Sequence, residues 1–192
     1  MNTPFIQPTQ MRKPLIQPKS PKGEEESVQK MLDKANDIMG FIPDPLLLMA
    51  MSPKILDEFT EFLGQYESHP RLNSNLIAIM RYLVAAKNDC KFCVSTTEAL
   101  MIQNGMELED LRKAQDDPSS LPLPENEKVL LLLVIKMVLD PDSVEVTDLQ
   151  LAYQHEWTDR DIYEAANYTV RNYAVDLLLK AYKVNGQGAF NL

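Results

Sequence analysis

The two cysteines of this 192-residue chain stand in the run Cys90-Lys91-Phe92-Cys93. Thiols two residues apart can form a reversible disulfide, hold a metal ion, or pack as small hydrophobes. A permanent staple is disfavoured, because so short a loop removes little entropy from the unfolded chain. Asn88-Asp89 precedes the pair and offers a helix N-cap, which predicts Cys90 in the first turn of a helix, Cys93 about one turn later, and both sulfurs on one face. Free amides and the positive end of the helix dipole would then favour thiolate over thiol, with Lys87 and Lys91 adding to the effect. On these grounds the pair reads as a redox couple. Zinc would need four ligands in a tetrahedral set. His69 and His155 are remote in sequence from the cysteines and from each other, so neither a metal nor a cofactor is expected.

The segments around the pair are helical by pattern. Val28, Met31, Leu32, Ala35, Ile38 and Met39 recur at helical spacing from Ser27 and stop at Gly40. Asp44-Pro45 and Ser52-Pro53 each place a capping residue before a proline suited to a first turn, predicting helices near 45–51 and 53–66. A segment from Ser74 to Lys87 is apolar on every side over Leu76–Ala86 apart from Arg81 and the Tyr82 hydroxyl, as expected of a helix inside a bundle or an oligomer. Further helices are expected at 90–104, 107–116, 125–139, 147–155 and 159–183, the last opened by Thr158 with Asp161 three residues on. No strand pattern is present.

Residues 1–22 form a separate unit from the domain expected over 23–192. Pro4, Pro8, Pro14, Pro18 and Pro21 exclude a continuous helix and favour an extended path. The runs Pro4-Phe5-Ile6-Gln7-Pro8 and Pro14-Leu15-Ile16-Gln17-Pro18 repeat an apolar pair ten residues apart. This Pro-rich arm carries Arg12, Lys13, Lys19 and Lys22 and no acid, on a chain whose net charge is -9. A basic arm on an acidic body suggests clasping between subunits, and a solvated tail is the alternative.

Composition narrows the partners. At 45% hydrophobic and 24% charged the chain is of ordinary globular type. The acidic balance argues against nucleic acid, and its longest apolar runs are far short of the ~20 residues a membrane span requires. No secretory signal is recognisable at the N-terminus, and the chain reads as cytoplasmic. Asn167-Tyr168-Thr169, inside a helical pattern, is a chance sequon.

The run from Arg81 to Val94, Arg-Tyr-Leu-Val-Ala-Ala-Lys-Asn-Asp-Cys-Lys-Phe-Cys-Val, resembles the core of alkylhydroperoxidase D-like proteins in the carboxymuconolactone decarboxylase superfamily. Glu127 to Leu139, Val146-Thr147-Asp148, Glu156-Trp157-Thr158-Asp159 and Ala166-Asn167-Tyr168 are similar to its peroxidase-related branch, so that the likeness spans about residues 28–184. The resemblance implies an all-α, multi-helix bundle assembled into trimers or hexamers. It also implies peroxide reduction, in which Cys93 attacks and Cys90 resolves the sulfenic acid, although helix electrostatics alone would make Cys90 the more acidic thiol. The family's relay places a glutamate twelve residues before the first cysteine and a histidine four after the second. Here those positions hold Ala78 and Thr97. Tyr82, one turn from Ala78, and Glu98, beside Thr97, are the available substitutes; a core tyrosine and a solvated glutamate are the plainer readings. Because general acid–base help is typically worth about 10²–10⁴ in rate, weak activity is expected.

Three classes of function follow. The first is an antioxidant thiol–disulfide oxidoreductase or weak alkylhydroperoxide or hydrogen peroxide reductase, whose partners are a peroxide or disulfide substrate and a thiol reductant or adaptor. The second is an oligomeric scaffold or binding protein that has lost the relay. The third is a decarboxylase or lactone-handling enzyme, disfavoured because that chemistry uses neither cysteine.

Overall fold

The computed structural model describes residues 13–67 and 69–190, and every regular element among them is helical. In chain order these are α1 Glu25–Met39, α2 Asp44–Met49, α3 Pro53–Glu67, α4 Ser74–Lys87, α5 Lys91–Gln103, α6 Leu108–Ala114, α7 Glu125–Leu139, α8 Val146–Gln154 and α9 Asp159–Ala181, with 3-10 turns at Pro118–Ser120 and Pro141–Ser143. The all-α reading holds, with boundaries shifted by one or two residues. No helix among the described residues is long and apolar enough to cross a membrane.

Helix α4 is the axis of the bundle. Asn73 caps it by accepting the Leu76 N–H at 2.8 Å, and Leu76, Ile79, Met80, Tyr82, Val84 and Ala85 are all sealed from solvent. Burial on all sides follows from its apolar surface, because α3, α5, α7 and α9 each cover a side of it. One core joins α3, α4, α6 and α7 to the start of α9, where Phe62, Tyr66 and Tyr168 pack ring against ring. A second core gathers α1, α2, both cysteines and the end of α9.

Two expected roles change. Asp44 was expected to cap α2, but Pro43 occupies that position. The buried Asp44 carboxylate instead accepts the Ala189 N–H at 2.7 Å, and Gln187 bonds the Ile42 carbonyl at 2.7 Å. The C-terminal segment thereby fastens the loop between α1 and α2. The second half of the arm's repeat docks on its own chain: Ile16 packs against the second core, and the Leu15 N–H donates to the Tyr182 carbonyl at 3.0 Å. Its first half, Pro4–Pro8, lies outside the described residues, as does Arg12.

Candidate active site

The turn that carries the cysteines is built by the way α4 ends. Asn88 closes the helix, Asp89 takes a left-handed φ of 52°, and the Asp89 and Cys90 amides bond the carbonyls of Ala86 at 3.0 Å and Ala85 at 2.9 Å. This is a Schellman pattern, in which a short polar residue tolerates the left-handed position that glycine more often fills. Cys90 is consequently the N-cap of α5 and not part of its first turn, which corrects the expectation that Asn88-Asp89 would cap. Its carbonyl accepts the first helical bond, from the Val94 N–H at 2.9 Å. Cys93 is the third helical residue, and the two sulfurs stand 2.9 Å apart.

The cysteines differ in access. Both are buried, at 1% and 2% exposure. Only Cys93 lines a cavity of 610 Å³ walled mainly by Met39, Phe41, Leu46, Phe59, Phe92 and Leu100, while Cys90 lies behind it. The polar groups on that cavity include Arg81 from α4, Thr97 from α5, and Asn172 and Asp176 from α9. Asp176 is 1% exposed, and its Oδ2 has no hydrogen-bond partner among the described residues. One carboxylate oxygen and the two sulfurs lie within 4.8 Å of one another.

These three donors, Cys90, Cys93 and Asp176, are one short of the four protein ligands of a structural tetrahedral zinc. A disulfide has sulfurs at about 2.05 Å, so oxidation needs only a modest side-chain movement.

The electrostatics reverse the sequence-based expectation. The Cys93 thiol is pushed well above its ordinary range by its hydrogen bond to Cys90, by burial and by the Asp176 carboxylate, against which Arg81 pulls weakly. The helix terminus therefore does not by itself produce a thiolate at Cys93, and Lys87 and Lys91 are solvent-exposed. Burial also raises Asp176, to about 6, although the two cysteines, Arg81 and Lys180 each pull it down. For Arg81, burial opposes the charge but is outweighed by Tyr168, Cys93 and Asp176, so the guanidinium stays protonated.

The other candidate residues separate. Thr97 does reach the cavity, but its hydroxyl is committed to the Cys93 carbonyl at 2.7 Å. Tyr82 and Glu98 do not line it. The Tyr82 hydroxyl donates to Glu98 at 3.0 Å and accepts from Gln115 at 2.5 Å, and Arg112 completes the cluster at 3.4 Å from Glu98. Burial, with the Glu98 carboxylate, raises Tyr82 to about 12 despite the Gln115 bond. Ala78 lies in the first core. His69 accepts the Leu72 amide through Nδ1 at 2.9 Å and bonds Glu164 through Nε2 at 2.8 Å, while His155 caps the end of α8. Asp176 was overlooked in the sequence; the available signal was a single acid inside the apolar run Val175-Asp176-Leu177-Leu178-Leu179.

The sequence matches no protein-family model and no curated protein. Solved structures do share the architecture. An uncharacterized peroxidase-related protein from Silicibacter sp. TM1040 superposes with a TM-score of 0.78 at 20% identity, over 93% of each chain. An alkylhydroperoxidase AhpD core, an uncharacterized peroxidase-related protein from Ralstonia eutropha JMP134, does so at 0.78 and 16%, over 92% of this chain and 93% of that one. The debrominase Bmp8 in its apo form is similar at 0.65 and 14%, over 91% and 93%. The fold of this chain is thus the alkylhydroperoxidase D-like fold, one that accommodates more than one chemistry.

Proposed function

We propose that this protein is a dithiol peroxide reductase in which Cys93 is the attacking thiol and Cys90 the resolving one. The observation that carries the reading is the asymmetric pair: sulfurs 2.9 Å apart, with Cys93 on the cavity and Cys90 behind it. Cys93 sulfur bonds to the terminal peroxide oxygen, the O–O bond breaks, and an alcohol leaves once the alkoxide takes a proton. The Cys90 sulfur then displaces hydroxide from the Cys93 sulfenic acid, giving the disulfide and, with a further proton, water. A thiol or dithiol reductant from outside returns the pair to its starting state. The cavity, far larger than hydrogen peroxide needs and apolar over most of its wall, favours an organic hydroperoxide. Arg81 supplies positive charge on the same cavity, where it steadies the thiolate and the developing alkoxide. Exposed apolar residues such as Ile38, Leu100 and Leu178 are consistent with an assembly of several copies.

The second reading, a scaffold retaining only the fold, is favoured by Ala78 and Thr97 at the relay positions and by the raised Cys93 thiol. One experiment separates the two. After treatment with cumene hydroperoxide, intact-mass measurement of the parent protein should show loss of two hydrogens. Cys93→Ser should abolish hydroperoxide consumption supported by dithiothreitol, and Cys90→Ser should accumulate a dimedone-reactive sulfenic acid at Cys93. Free thiols persisting in the treated parent, or consumption independent of Cys93, would leave the scaffold reading standing.

A further inference from the structure

The geometry points to Asp176 as the acid–base group of the site: its carboxylate takes the Cys93 proton as that thiol attacks and returns it to the departing alkoxide. The inference rests on the dithiol reading above and assigns a task that reading leaves open. The O–O cleavage produces an alkoxide, and a thiol held protonated by its surroundings cannot attack until something accepts its proton.

Four observations single out Asp176. Among the described residues lining the cavity it is the one carboxylate, and no histidine lines it. It reaches both sulfurs, since the three donor atoms lie within 4.8 Å of one another. Its Oδ2 is buried without a partner, so the carboxylate has unspent capacity to accept a hydrogen bond. Its helix is also anchored to the reactive turn: one turn further along α9, Lys180 donates to the Asn88 carbonyl, two residues before Cys90. Asn172, one turn earlier, spends its amide on the Tyr168 carbonyl at 2.9 Å and does not occupy the carboxylate.

The charged and titratable groups facing Asp176 are Arg81 from α4, Cys90 and Cys93 at the start of α5, and Lys180 on its own helix, with Tyr168 influencing Arg81. Burial outweighs the downward pull of the two cysteines and the two cations, which places the carboxyl near 6. At neutral pH it is mainly ionised and ready to accept a proton, yet basic enough to hold one briefly. The proton balance closes over the cycle: thiol and carboxylate with hydroperoxide become sulfenic acid and carboxylate with alcohol. The same carboxylate can then carry the Cys90 proton to the hydroxide released when the disulfide forms.

The test is the pre-steady-state rate of Cys93 oxidation by cumene hydroperoxide from pH 5 to 9, in the full chain and in Asp176→Asn. In the parent the rate should rise with pH through an inflection near 6. In Asp176→Asn it should fall by about 10²–10⁴ and lose that inflection, while Asp176→Glu restores part of the rate. A folded Asp176→Asn protein that oxidises at the parent rate with the parent pH profile would overturn the assignment while leaving the dithiol reading intact, provided Cys93→Ser is inactive. Were Cys93→Ser as active as the parent, the dithiol reading and this assignment would fall together. Absence of any inflection near 6 in the parent also overturns the assignment, whether or not the variants fold.

Discussion

Two aspartates of α9 have nearly the same exposure and opposite surroundings. Asp161, in the first turn, is 3% exposed, and Asp176, near the other end, is 1% exposed. Asp161 accepts the Thr158 amide at 2.9 Å, the Thr158 hydroxyl at 2.7 Å and the Arg71 guanidinium at 2.9 Å. Burial alone would raise it, but the Thr158 bonds and Arg71 more than offset that and hold it below the ordinary carboxylate range. Asp176 has an unpartnered oxygen on a cavity and is raised to about 6. The same residue type, equally dry, serves structure where its hydrogen bonds are made and remains available for chemistry where they are not.

The sharpest way to break this comparison is to remove the satisfied member. Asp161→Ala deletes half of a capping box and removes the carboxylate that accepts the Arg71 Nε, leaving that guanidinium its bond to the Glu156 carbonyl, so it should destabilise the fold by about 2–4 kcal/mol. Urea denaturation followed by far-UV circular dichroism would measure this. The rate of Cys93 oxidation in the folded fraction should not change. A loss below about 0.5 kcal/mol would show that the bonds at this end of α9 matter little.

Removing the unsatisfied member should do the reverse. The folded state holds the Asp176 proton up to about 6, whereas an unfolded chain releases it near 3.9. Between those values the folded state binds more protons, and stability therefore falls as pH rises through the window. Asp176→Asn should gain stability at pH 8 by up to about 3 kcal/mol, with the gain disappearing near pH 4, while activity is lost. Asp161 has the opposite sign: its contribution is complete above its unfolded range and is lost as pH falls through its depressed folded value. Thermal midpoints of the parent and both variants across pH 2–8 test both signs, the Asp176 window lying above about pH 4 and the Asp161 window below it, and equal slopes in all three would dissolve the distinction.

The smallest effect belongs to Tyr82, the neighbour of Arg81 on α4 that does not line the cavity. Tyr82→Phe removes one hydroxyl from a cluster in which Glu98 keeps Arg112, and should cost about 1 kcal/mol with no change in peroxide rate. A rate loss of tenfold or more would return Tyr82 to the list of chemical groups.

Helix positions were legible because they depend on neighbours in the chain. Gly40 ends α1 with a φ of 76°, the Thr158 and Asp161 side chains form the expected capping box, and the apolar surface of Leu76–Ala86 required a helix surrounded by others. The detail at Asn88-Asp89 was less legible. The same two residues can start one helix or finish another, and only the preceding helix's carbonyls at Ala85 and Ala86, which claim the next amides, decide for the ending.

By itself, then, the sequence determined an all-α chain with two thiols at a helix junction, since spacing along the backbone places Cys90 and Cys93 within reach of each other whatever surrounds them. It also placed alanine and threonine where a relay was expected. Only the tertiary structure decided which thiol meets a cavity, that the helix terminus does not lower Cys93, and that Arg81 and Asp176 flank it. Those properties depend on dielectric and on distances between helices far apart in the chain, and a run such as Val175–Leu179 has the same local pattern whether its one acid points to water or to a sulfur.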